Sequence, residues 1–154
     1  MAIVRTAGSE IIRSAHFEYI AGDTATHPLI LGVQHHIYTV LSIVCFAVQD
    51  NGPLIFNLRG FDAILGESAQ EIILFKTPTV TDTDQTFVWN DKFSFNGYEP
   101  EDEGSGVVGQ ANTAAEQDAI ADQGSSVSQK LEVKKNHNND KWEIHVTFID
   151  QNNA

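Results

Sequence analysis

The sequence predicts an all-β protein, in which one antiparallel β-sandwich or jelly-roll-like domain contains about seven strands and one short helix. Three observations predict this fold class. Apolar and polar residues alternate along several short segments, turn residues separate these segments, and no strand-helix-strand repeat favours a parallel sheet. The chain has 154 residues, so we expect one domain spanning residues 1–154 that forms its core without disulfides or metal.

The first half of the chain predicts three strands. Glu10–Ile20 shows the period-two alternation of a half-buried strand. His36–Gln49 is apolar on both faces, which is typical of a strand covered on both sides. One predicted face of this segment carries Ile37, Leu41, Ile43 and Cys45. Because the turn residues Asp50–Pro53 separate it from the apolar run Leu54–Phe61, the two runs are predicted to pair as an antiparallel hairpin.

The stretch Leu29–Val48 has no formal charge, and its length also suits a membrane span. However, Gln34, His35 and His36 lie within it, and the uninterrupted apolar part is only Ile37–Val48. That part is rich in β-branched residues, which pack well on a pleated sheet. We therefore expect a buried strand here and no membrane span.

Two further strands are predicted in the middle of the chain. Glu71–Thr77 ends at Pro78, which cannot donate a hydrogen bond to a sheet. Thr86–Phe95 alternates clearly, and its apolar face carries Phe87, Trp89, Phe93 and Phe95. Because aromatic side chains bury large areas, this face is expected to cover a core or a partner subunit.

The last part of the chain predicts a helix and a hairpin. Thr113 and Glu116 match a capping box, so the short helix is expected near residues 113–123. Ser126–Lys135 and Lys141–Ile149 both alternate, and a polar segment joins them. These two runs are predicted to form a C-terminal hairpin with one solvent-exposed face.

The charge of the chain argues against two classes of partner. The sequence has 9 Lys plus Arg against 21 Asp plus Glu, which gives a net charge of −12. This sign opposes binding to phosphate backbones and to anionic membranes, so neither nucleic acid nor a membrane is an expected partner. The first ten residues lack the basic start and apolar core of a secretory signal.

The sequence contains no GxSxG, HExxH or P-loop pattern. We therefore assign no catalytic, cofactor-binding or metal-ligating residues and expect neither an enzyme nor a cofactor.

His35 and His36 are adjacent, so in a strand they point to opposite faces and cannot bind one metal side by side. His16 and His145 become neighbours only if their strands pair, which the sequence leaves open. Cys45 lies in an apolar run, and packing in the core is expected.

Two acidic segments supply the hard oxygen ligands that Ca²⁺ prefers. They contain Asp82 and Asp84, and Glu99, Glu101, Asp102 and Glu103. Neither segment fits an EF-hand loop, and acidic loops of an acidic protein are usually hydrated. Hydrated surface loops are therefore the preferred interpretation.

Three segments carry a family resemblance: Val4–Gly8, Thr86–Gly97 with the sequence TFVWNDKFSFNG, and Ala119–Gly124 with the sequence AIADQG. They resemble small β-rich structural proteins of tailed bacteriophages, particularly marine ones. The resemblance implies a non-enzymatic virion component, either a capsid decoration or a head or tail accessory subunit. It also implies a location in the virion after assembly in the host cytoplasm. The implied partners are the major capsid or tail protein and further copies of the chain.

Another class of function stays open, namely a carbohydrate-binding or host-attachment module. Aromatic rings suit sugar faces, and the candidates are Trp89, Phe93, Phe95, Tyr98 and Trp142. If Trp89 and Trp142 are exposed, carbohydrate binding is favoured, and if they are buried, core packing is favoured. A small jelly-roll enzyme is a third possibility, and it needs carboxylates or histidines that converge in a pocket.

Overall fold

The computed structural model describes residues 9–49, 52–61, 69–79, 83–98 and 128–152. Nine strands form within these ranges, where the sequence predicted seven. They are β1 (Ser9–Tyr19), β2 (His27–Leu31), β3 (His36–Gln49), β4 (Leu54–Phe61), β5 (Ala69–Lys76), β6 (Thr86–Trp89), β7 (Phe93–Asn96), β8 (Lys130–Lys135) and β9 (Lys141–Asn152). The helix predicted at 113–123 lies outside the described residues.

The strands form two antiparallel sheets. Sheet A has the order β1-β9-β3-β6, with β7 also paired to β3, and sheet B has the order β2-β8-β4-β5. β6 pairs with Ile43–Phe46 and β7 pairs with Ile37–Val40, so these two short strands follow each other along one side of β3. When β6 and β7 are counted as one strand position, each sheet has four positions, and their order is that of a jelly roll. The predicted all-β sandwich is confirmed.

The two predicted hairpins are wrong. β3 and β4 follow each other in the chain, yet β3 lies in sheet A and β4 in sheet B, and β9 and β8 are separated in the same way. In a jelly roll, consecutive strands often lie in opposite sheets. Two strands joined by a short connection therefore need not be hydrogen-bonded to each other. β9 keeps the predicted exposed face. β8 does not, because Leu131, Glu132 and Val133 are all buried.

The core lies between the two sheets. Sheet A contributes Ile43 and Ile144, and sheet B contributes Phe56 and Leu131, all fully buried. On β9 every second residue from Trp142 onward points into this core. The apolar stripe required for a sandwich is therefore encoded by the alternation of the sequence.

A β-bulge in β3 changes which of its residues face the core. The register with β9 shifts between Val40 and Ser42, and the extra residue reverses the alternation beyond that point. The buried set is therefore Tyr38, Val40, Ile43, Cys45 and Ala47. The predicted grouping of Ile37 and Leu41 with Ile43 is wrong. The second face of β3 is only partly covered, with Val44 and Phe46 half-buried.

The aromatic segment Thr86–Phe95 forms two strands instead of one, because Asn90–Lys92 interrupts it. Its aromatic face packs against the core as predicted. Trp89 lies between Phe75 of β5 and Phe93 of β7, with ring centroids 5.7 and 5.3 Å away. These rings close one side of the sandwich, where the last strands of the two sheets meet.

The candidate membrane segment forms strands, as expected. Leu29–Val48 contains the end of β2 and most of β3. His36 begins β3, and His35 precedes it with a positive φ of 65°. In the described ranges, no helix has the length and apolar character needed to cross a membrane.

Candidate interaction surface

The side chains of sheet A that point away from the core form a surface that we call the outer face. Its apolar members come from all four strand positions. They are Ile12 on β1, Ile149 on β9, Ile37, Val44 and Phe46 on β3, and Val88 on β6. Its titratable members on β1 and β9 include His16, Glu18, Glu143 and His145.

The strand register brings two pairs of apolar residues of the outer face side by side. Ile12 lies opposite Ile149, and Val88 lies opposite Val44. Ile12 is 69% exposed and Val88 is 57% exposed. Covering such side chains removes apolar surface from water, which contributes roughly 25 cal/mol for each Å². The outer face therefore has the character of a surface that gains free energy when a partner covers it.

The dimensions of the outer face also match a protein contact. β9 has 12 residues, and at about 3.4 Å per residue it extends about 40 Å. Four strand positions at a spacing of about 4.8 Å give a width of about 19 Å. The resulting area is close to the roughly 800 Å² that each partner contributes to a standard interface.

A buried carboxylate links three strands of sheet A near the end of β9. Asp150 Oδ1 lies 2.6 Å from His36 Nδ1, and Arg13 Nε donates to Asp150 Oδ2 at 3.0 Å. Asp150 is 4% exposed, so its carboxylate depends on partners for stabilisation. Continuing the alternation of β9 beyond Phe148 places Asp150 inward, and this is the signal that the sequence interpretation missed.

A second polar cluster closes the opposite end of β9. Lys135 is buried, and its Nζ donates to the backbone carbonyls of Ile20, Asn138 and Asp140 at 2.6, 3.1 and 2.8 Å. The same ammonium lies 5.3 Å from the ring centroid of Tyr19. Burial lowers the pKa of Lys135 and raises the pKa of Tyr19. This cluster ties β8 to the loops around it and supports the fold.

Cys45 and Trp142 lie in the core, and Trp89 packs against it. Cys45 is fully buried, and burial raises the pKa of its thiol to about 12. Trp142 is fully buried and Trp89 is half-buried between two rings. The thiol therefore stays protonated at neutral pH, and neither indole offers a fully exposed ring.

The candidate cation ligands are not brought together by the described part of the structure. Within the described ranges, no group of three or more His, Cys, Asp or Glu side chains is arranged around one point. Asp84 lies in a bend with a positive φ of 63°. Asp82 and the acidic group Glu99–Glu103 lie outside the described residues.

His16 and His145 are brought together, because β1 and β9 pair in a register that places them directly opposite each other. Their ring centroids are 6.4 Å apart. The sequence alone left this pairing open.

No protein-family model, curated protein or solved structure matches this chain. The strand order defines the described part of the chain as a jelly-roll sandwich, and the outer face of sheet A is exposed and partly apolar.

Proposed function

We propose that this protein is a non-enzymatic virion structural protein of a bacteriophage, either a capsid decoration or a head or tail accessory subunit. It attaches through the outer face of sheet A to the major capsid or tail protein or to copies of itself. The main support for the proposal is the outer face, where Ile12 and Val88 are exposed on a sheet of interface size.

The fold supports this proposal at the level of analogy. Jelly rolls occur in viral capsid domains and also in lectins, so the topology is compatible with both candidate functions. The resemblance of Thr86–Gly97 to phage structural proteins favours the first. We place the protein in the virion, after assembly in the host cytoplasm, with no nucleic-acid, membrane or cofactor partner.

The environment of the tryptophans favours attachment to protein over carbohydrate binding. A sugar-binding platform needs an exposed, flat ring. Trp142 is fully buried, and Trp89 is stacked on Phe93 with an interplanar angle of 15°. We therefore expect tryptophan fluorescence to stay unchanged when polysaccharide is added.

Co-sedimentation with capsids and tails assembled without this protein tests the proposal. Val88→Lys places a charge on the outer face, and Ile72→Lys is the matched control on β5 of sheet B. The two side chains have similar exposed fractions, 57% and 61%. A buried, unpaired charge is costly, so Val88→Lys should release the protein from particles while Ile72→Lys remains bound.

Circular dichroism and thermal unfolding of both variants confirm that each is folded. The proposal fails if the wild-type protein does not sediment with capsids or tails. Equal binding of wild type and Val88→Lys would exclude the outer face as the contact surface.

A further inference from the structure

We propose that the edge strand β1 pairs with β1 of a second copy of the chain, in antiparallel orientation and with Ile12 opposite Ile12 of the second copy. The sheets A of the two copies then form one continuous sheet across a twofold axis, the commonest symmetry among soluble oligomers. This contact uses the backbone edge of β1 and not the outer face, so it does not depend on the proposed attachment function.

In the described part of the chain, the two sheets end in four edge positions, namely β1, β2, β5 and the pair of β6 and β7. Three of these edges carry features that hinder pairing with another chain. β2 has 5 residues, one of which is Pro28, and the register of β5 with β4 shifts after Phe56. β6 and β7 have 4 residues each. Short strands, proline and irregular pairing are the usual protection of sheet edges.

β1 lacks these protecting features. It has 11 residues, with neither proline nor glycine among them, and its register with β9 is unbroken from Ser9 to Tyr19. Within the described ranges, no strand is paired with its other side. The backbone N–H and C=O groups along that side are a template for a further strand. β1 is therefore the edge best suited to pair with another chain.

The two ends of β1 differ in their surroundings. At the C-terminal end, the rings of Phe17 and Tyr19 contact His27 of β2, with ring centroids 4.5 and 5.4 Å away. Toward the N-terminal end, Ile11 and Ile12 are 36% and 69% exposed. The exposed, apolar part of this edge is therefore its N-terminal half, where we expect the second copy to pair.

The charges of β1 select the register of the pairing. A twofold axis perpendicular to the sheet keeps both outer faces on one side and places each residue opposite a residue of the same face. An axis at Arg13 sets two guanidinium groups opposite each other, and an axis at Ser14 sets Glu10 opposite Glu18. Like charges directly opposite are unfavourable. An axis at Ile12 avoids both arrangements, because it sets Glu10 opposite Ser14.

This register makes an apolar contact at the centre of the dimer. The two Ile12 side chains are directly opposite, with Cβ atoms about 4.5–5.5 Å apart, and each covers apolar surface that is exposed in the single chain. On the other side of the sheet, Ile11 lies opposite Arg13, whose aliphatic stem packs against apolar neighbours while its charge is paired with Asp150. The outer-face side chains still point out of the joined sheet, so the dimer presents two outer faces on the same side.

Disulfide cross-linking of the full chain tests the register. In Ile12→Cys the two introduced thiols lie opposite each other, with Cα atoms about 4.5–5.5 Å apart, a distance that a disulfide spans. We expect mild oxidation to convert most of this variant to a covalent dimer on non-reducing electrophoresis. Ser14→Cys is the matched control, because Ser14 is exposed on the same face but lies about 13 Å along the strand from its counterpart. Cys45 is buried and should not cross-link.

Light scattering across a dilution series measures the dimer itself, and we expect the wild-type protein to reach twice the monomer mass. Ile12→Lys replaces the central apolar contact with two opposing charges, so the dissociation constant of the dimer should rise at least about fivefold. Val88→Lys is the control, because Val88 is also exposed on the outer face but lies at the opposite edge of sheet A. This variant should dimerise like the wild type, and thermal unfolding checks that both variants are folded.

A wild-type protein that stays monomeric at every concentration overturns the proposal. Cross-linking of Ser14→Cys that is as fast as that of Ile12→Cys also overturns it. Weaker dimers in Val88→Lys, with wild-type dimers in Ile12→Lys, would place the contact on the outer face away from β1 and have the same consequence. Particle binding is measured separately by co-sedimentation, so failure of the dimer and failure of the attachment function are distinguishable.

Discussion

Replacing Lys135 with Met should destabilise the fold much more than the same change at the neighbouring Lys134. Met preserves most of the length and apolar packing of the Lys135 side chain, but it removes the ammonium that holds the carbonyls of Ile20, Asn138 and Asp140. The side chain of Lys134 is 32% exposed, and its Nζ forms an ion pair at the protein surface, 3.1 Å from Glu71 Oε1.

The size of the effect follows from these contacts. Asp140 is buried, so its carbonyl loses a charged donor without gaining water, at a cost of about 1–3 kcal/mol. The cation-π contact with Tyr19 adds about 0.5–2 kcal/mol. Water can replace the ammonium at the exposed Ile20 and Asn138, and the variant avoids the cost of burying a charge. We therefore expect a loss of about 2–4 kcal/mol for Lys135→Met.

Urea unfolding followed by circular dichroism measures this difference. For Lys134→Met we expect about 0–1 kcal/mol, as for other exposed ion pairs. Both variants should keep the wild-type m-value, the slope of the free energy of unfolding against urea concentration. An unchanged m-value shows that the mutation alters the free energy of unfolding and not the compactness of the denatured state. If the two variants differ by less than about 0.5 kcal/mol, within ordinary surface effects, the buried ammonium does not support the fold as argued.

Two other predictions concern groups with a shifted pKa. Cys45 should not react with Ellman's reagent at pH 8 in the native protein, because the thiol is buried and its pKa is about 12, but it should react fully in urea. Rapid native reaction would contradict its place in the core. The hydrogen bond with His27 lowers the pKa of Asp23 below its ordinary value. This contact contributes fully to the free energy of unfolding above the ordinary pKa of Asp. The contribution is lost as the pH falls through the lower pKa that Asp23 has in the folded protein. Asp23→Asn should therefore be less stable than wild type at pH 7 in urea unfolding, and the difference should shrink as the pH is lowered. A difference independent of pH would refute this.

Local pattern predicts the strands better than it predicts their partners. The alternation from Trp142 onward correctly gives the buried face of β9. The sequence correctly separates β3 from β4, but the flanking residues do not encode whether β4 pairs with β3 or lies in the facing sheet. The bulge at Leu41 is similarly hidden, because an apolar run such as His36–Gln49 is compatible with either alternation.

The candidate surfaces depend even more strongly on tertiary structure. His16 and His145 are separated by most of the chain, and only the pairing of β1 with β9 makes them neighbours. Val88 looks like a break in the aromatic alternation of its segment, and the structure shows that it points to the outer face opposite Val44. By contrast, the inward positions of Asp150 and Lys135 follow from alternation and were accessible to sequence reasoning.

Hydroxyl-radical footprinting of the protein, free and bound to particles, tests most directly the claim that the outer face of sheet A is the attachment surface. Ile12 and Val88 are exposed in the free chain and should be protected on binding, whereas Ile72 on β5 should stay equally reactive. Protection of Ile72 with unchanged reactivity of Ile12 and Val88 would contradict the account and move the contact to sheet B.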